Sequence, residues 1–239
     1  MVESLDEMLE DYLIGIEKPF ESTHPGYSWA SEAEKCSRSV GYRIAGEPVT
    51  NKLRLYSRWN FMQGNHLHEV IQKAAAKRYG RDIEFEVGWE MENISGRADA
   101  VTASSVWEIK TINVFGFKRA AYPARGRPAS GPESSAIMQG FLAASALGKQ
   151  TVKIILATKE PSKAKETVTA AWDFEWTDAR RREVDAEVKR LQSIANLVRA
   201  GDLPKPVLHD GRLITDPASV NFPCGYCAYK EACISRGAS

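Results

Sequence analysis

The stretch Ile94-Ser-Gly-Arg-Ala-Asp-Ala-Val-Thr-Ala-Ser-Ser-Val-Trp-Glu-Ile-Lys-Thr111 decides the fold. It reads as two short strands, about 96–101 and 106–111, joined by a four-residue turn over Thr102–Ser105. That turn sets Val101 opposite Val106, Asp99 opposite Glu108 and Arg97 opposite Lys110. Strand side chains repeat every two residues, so Asp99, Glu108 and Lys110 are expected on one face. Ala98, Ala100, Trp107 and Ile109 are expected on the other, against a core. Opposed carboxylates in a sheet repel. A divalent cation between them removes the repulsion, and oxygen ligands suit Mg2+ or Mn2+. Such an ion polarises a phosphodiester and acidifies a bound water. Lys110 is placed to orient or deprotonate that water, or to stabilise charge on the phosphate. The competing reading of the same residues is a surface hairpin whose carboxylates pair with Arg97 or Lys110.

Outward from the hairpin, Ile83, Phe85, Val87, Trp89 and Met91 alternate with Glu84, Glu86, Gly88, Glu90 and Glu92, a strand with one wet face. A helix is expected before it, from Lys52 to Tyr79 and closed by Gly80. After the hairpin, the span from Ile112 to Pro132 holds no acidic residue but carries Lys118, Arg119, Arg125 and Arg127. It reads as a basic loop suited to phosphates. A helix over 133–147 follows, then strands at 152–158 and 168–175. Thr177 N-caps a long helix striped by Val184, Val188, Leu191, Ile194, Ala195 and Val198. Hairpin-connected strands with helices on the faces predict an α/β fold with a mixed sheet. The segment from Phe20 to Pro48 reads as turn-rich, after a short N-terminal helix.

Length and charge narrow the function classes. At 239 residues the chain suits one domain, 1–239, with a real core. With 32 basic and 31 acidic residues, a nucleic-acid partner has to be argued from local patches and not from the total. No apolar run approaches the roughly 20 residues of a membrane span. The acidic N-terminus lacks a secretory pattern, so a cytoplasmic protein without a membrane partner is expected.

Gly96-Arg-Ala-Asp99 followed by Glu108-Ile-Lys110 resembles the PD-(D/E)xK nuclease signature, and helix–three strands–helix–strand is similar to that superfamily's core. The resemblance implies Asp99 and Glu108 as metal ligands, the Ile109 carbonyl as another, and Lys110 as catalytic. Gly64-Asn-His-Leu-His68 precedes the hairpin on the first long helix. Gly-x-x-x-His there resembles the RecB branch, in which the histidine adds a ligand; His66 is in poorer register than His68. Gln139 matches that branch's helix glutamine and becomes a candidate for contacting DNA or Lys110. The tyrosine expected four residues later is Ala143 here.

The four cysteines are Cys36 and the C-terminal trio Cys224, Cys227 and Cys233. In a reducing compartment this spacing favours metal coordination, by Zn2+ or an iron–sulfur cluster. One distant cysteine plus a trio resembles the iron–sulfur RecB-like nucleases, including CRISPR-adaptation exonucleases and AddB-type subunits. That resemblance implies a structural [4Fe–4S] cluster, with Zn2+ as the alternative, joining residue 36 to 224–233. It also implies an exonuclease acting on DNA ends or single strands in repair, recombination, phage DNA processing or CRISPR adaptation. A helicase or recombination partner is implied as well, since no Gly-x4-Gly-Lys-Ser/Thr motif is present. The alternative in another class is a non-catalytic nucleic-acid-binding adaptor with the same fold.

Overall fold

The computed structural model describes residues 27–51, 55–124, 126–160, 168–208, 210–216 and 223–236. The expected N-terminal helix and Arg125 lie outside them. Six strands form a mixed sheet: β1 (Ser28–Trp29), β2 (Ile83–Met91), β3 (Ile94–Thr102), β4 (Ser105–Ile112), β5 (Thr151–Thr158) and β6 (Thr169–Glu175). The helices are α1 (Ser37–Ile44), α2 (Leu55–Tyr79), α3 (Val114–Ala121), α4 (Ser134–Ala146), α5 (Asp178–Arg199) and α6 (Lys230–Ser235). The predicted mixed α/β architecture is thus present. No helix among the described residues is long and apolar enough to cross a membrane.

Alternation along the strands builds two cores. Ala100, Trp107, Ile109 and Ile155 pack with Ile83 and with Ala75 of α2, Ile71 at its edge. On the other face Val101, Val106, Val152 and Ile154 pack with Met138, Phe141 and Leu142 of α4 and with Val184, Val188 and Leu191 of α5. The sheet is therefore sandwiched between α2 and the α4–α5 pair. Thr177 caps α5 as expected, its side chain accepting from the Arg180 N–H.

The hairpin register is the expected one where the strands pair, Val101 with Val106 and Ala100 with Trp107. It then opens. β4 leaves β3 and pairs along its whole length with β5, in parallel. β2 pairs one edge of β3 from end to end, so β1, which pairs with Ile94 and Ser95, shares the opposite edge with β4. Between the two attachments, beside Gly96–Asp99, that edge forks.

Four expectations need correction. Arg97 does not face Lys110: it lies opposite Gly88 and pairs with Glu86 at 2.6 Å, because the fork carries Lys110 away. Ala98 packs with Val101 and Val106, not with Ala100 and Trp107, so alternation breaks at Asp99. The turn-rich N-terminal segment contains helix α1, and the basic loop begins as helix α3. In α1 the buried residues include Ser37, Arg38 and Gly41, so no apolar period announces it. In α3 the inward pair is only Phe117 and Ala120, with Asn113 as the cap.

Candidate active site at the hairpin fork

The fork leaves backbone groups without their usual strand partners, and side chains take them. The Ile109 N–H donates to Asp99 Oδ2 at 2.6 Å. On the other edge, the Glu86–Asp99 pair is missing from an otherwise continuous β2–β3 ladder, and Glu86 adopts φ 54°. Gln72 of α2 fills that gap. Its Nε2 donates to the Asp99 carbonyl at 3.1 Å and to Glu86 Oε1 at 2.5 Å. Gln72 was not singled out in the sequence; its only signal there is the four-residue spacing from His68, which puts both on one helix face.

His68 Nδ1 lies 3.8 Å from Asp99 Oδ1, whereas His66 is exposed. Gly64 explains the approach. A Cβ there would come within 2.8 Å of Thr111 Oγ1, so only glycine lets α2 lie this close to β4. Lys159 Nζ adds a tie, donating to the Asn60 carbonyl at 2.6 Å.

Glu108 is 1% exposed. Burial pushes its carboxyl up to about 8, and Asp99 pushes the same way; Lys110, 2.5 Å away, pulls against both without prevailing. Burial also raises Asp99, opposed by the Ile109 N–H, His68 and Lys110. Lys110 Nζ further donates to Gln139 Oε1 at 3.0 Å. Gln139 reaches it because α4 lies tight on β5: a Cβ at Gly140 would stand 2.5 Å from Val152 Cγ1. Asp99, Glu108, Lys110, His68 and Gln139, drawn from four elements, therefore meet in one place.

Among the described residues no three His, Cys, Asp or Glu side chains converge tightly enough to hold a metal ion as they stand. The donor chemistry nevertheless fits a divalent ion. Two carboxylates share a buried site, each held above its ordinary range by burial, and an imidazole stands beside them. Lys118 and Arg119 are exposed on α3, and Arg127 is exposed beyond it.

At the far end of the sequence, the segment carrying the cysteine trio docks beside α1. Tyr42, Tyr229 and Cys233 pack together, and the Tyr42 hydroxyl donates to the Ala232 carbonyl at 3.3 Å. Asn51 Nδ2 donates to the Cys227 carbonyl at 3.1 Å. All four cysteines are free thiols. Burial raises Cys36, Cys224 and Cys233; Cys227 adds to all three, and Cys36 adds to Cys224 and Cys233. The thiols thus stand within electrostatic reach of one another, a donor set whose chemistry fits a thiolate-ligated cluster or zinc.

Neither protein-family models nor curated proteins match this sequence. Solved structures do share the fold. An alkaline exonuclease from Laribacter hongkongensis matches with TM-score 0.53 and 12% identity, over 80% of this chain and 95% of that one. The protein SSO0001 matches with TM-score 0.51 and 15% identity, over 95% of this chain and 94% of that one. This chain has the fold of an alkaline exonuclease.

Proposed function

We propose that the chain is a metal-dependent DNA nuclease with its active site at the hairpin fork. The observation that carries the reading is the convergence of Asp99, buried Glu108, Lys110 and His68 where β4 leaves β3. Asp99, Glu108, His68 and the Ile109 carbonyl would hold Mg2+ or Mn2+. When bound, such an ion supplies charge stabilisation at the phosphoryl oxygens and a more acidic water. As a ligand, Glu108 would be ionised and would share its charge between the ion and Lys110. The Lys110 ammonium, oriented by Gln139 Oε1, would donate to a phosphate oxygen or steer the attacking water. The Ile109 N–H fixes the Asp99 carboxylate, and Gln72 fixes the strand that bears it. Lys118, Arg119, Arg125 and Arg127 would hold the DNA backbone.

The alkaline-exonuclease fold supports exonuclease action. DNA ends or single strands as substrate, a role in repair, recombination, phage DNA processing or CRISPR adaptation, and a helicase or recombination partner rest on the RecB-like sequence resemblance. Cys36, Cys224, Cys227 and Cys233 would hold a [4Fe–4S] cluster, or Zn2+, in a structural role. End-labelled DNA incubated with Mn2+ is expected to be degraded. Lys110→Ala and Glu108→Gln are each expected to lose on the order of 1,000-fold in rate while remaining folded. Equal rates in both variants and the parent would refute the reading and leave a nucleic-acid-binding adaptor.

A further inference from the structure

Two exposed phenylalanines lie on helices next to the fork in sequence or packing: Phe61 on α2, which carries His68, and Phe115 on α3, which follows β4. On α2, positions 61, 64, 68, 72 and 75 follow at three- and four-residue steps and share one face. That face meets the sheet: Ala75 is in the core, Gln72 and His68 contact Asp99, and Gly64 abuts Thr111. Phe61 continues the same face one turn before Gly64 but is 59% exposed. Seven residues of helix put it about 10 Å along the axis from His68. Phe115 lies four residues beyond Thr111, on the first turn of α3, and is 81% exposed. Its turn is held by the Asn113 side chain, which accepts from the Gly116 N–H at 2.8 Å. With Phe117 and Ala120 turned inward, Phe115 shares the outer face of α3 with Lys118 and Arg119, three and four residues on.

An exposed aromatic beside cations, in a stretch without acidic residues, complements a partner that is anionic along its backbone and offers free π-faces. Single-stranded nucleic acid has both features; a duplex hides its bases. Resting on the nuclease reading above, we propose that Phe61 and Phe115 are stacking platforms for unpaired bases, and that the site takes single-stranded DNA in preference to intact duplex.

The test measures binding, in a Lys110→Ala background so that the strand survives. Fluorescence anisotropy would follow an oligothymidine strand, a blunt duplex of equal length and an abasic strand. The thymidine strand is expected to bind tighter than the duplex. Phe61→Ala and Phe115→Ala are each expected to weaken it about tenfold, leaving duplex and abasic binding unchanged. Phe115→Trp should restore affinity, with tryptophan fluorescence quenched on binding. Tighter binding of the duplex, or alanine variants that bind the thymidine strand like the parent, would overturn the inference. Stacking without any cleavage by the Lys110 protein would refute only the nuclease reading. Cleavage with unaltered binding by the alanine variants would refute only this inference.

Discussion

The carboxylate fork and the cysteine cluster are assembled in opposite ways. Asp99, Glu108 and Lys110 sit within twelve residues of one hairpin, and protein groups already engage them: the Ile109 N–H, Lys110, Gln139 and His68. The cysteines come from positions 36 and 224–233. The thiols of Cys36, Cys224 and Cys233 are raised, partly by their cysteine neighbours, and their segments dock through contacts that include a small cluster around Tyr42 and Tyr229. A site built within a sheet keeps its shape without a cofactor. A junction between distant segments has loop-closure entropy to overcome, and the proposed cluster or Zn2+ would supply free energy toward it. Metal loss should therefore silence the first region and loosen the second.

That contrast can be broken most sharply by substitution at each end. Lys110→Ala is expected to lose activity with its melting temperature nearly unchanged. Cys36→Ser is expected to lose the absorbance near 400 nm that iron–sulfur centres show as a class, and to melt on the order of 10 °C lower. If Cys36→Ser melts like the parent, the junction is held by protein contacts without a metal, among them Tyr42 with Tyr229 and Asn51 with the Cys227 carbonyl.

A second experiment probes the fork with divalent ions chelated. Glu108, raised to about 8 by burial, binds a proton in the folded chain that the unfolded chain releases above its ordinary value of 4.5. The folded state then holds more protons between those values, so stability falls as pH rises from about 4.5 through about 8. In EDTA the melting temperature should decline across that window, by an amount worth a few kcal/mol. Glu108→Gln should flatten the decline; the same slope in the variant would place its origin elsewhere.

The smallest effect is expected from Gly64→Ala. The added methyl meets Thr111 Oγ1 at 2.8 Å, which costs about 1–3 kcal/mol and pushes His68 away from Asp99. The Mn2+ concentration for half-maximal activity should rise while rate at saturating Mn2+ largely recovers. A variant with unchanged Mn2+ dependence would detach His68 from the metal.

Much of this was legible in the sequence because it is periodic or local. Alternation along residues 83–91, the Val101–Val106 register and the stripe on α5 follow from two-residue and 3.6-residue repeats, which each residue's neighbours impose. The triplet Glu108-Ile-Lys110 likewise put a carboxylate and an ammonium on one face before any packing was known. What only the tertiary structure decided is where those repeats fail. β1 and β4 share one edge of β3, so the hairpin forks at Asp99, Arg97 leaves Lys110, and Ala98 changes sides. Gln72 and Gln139 enter the site from two helices because Gly64 and Gly140 permit contact with the sheet. Backbone groups left unpaired in a sheet must find partners, and those partners came from residues far away in the chain, where no local pattern reaches.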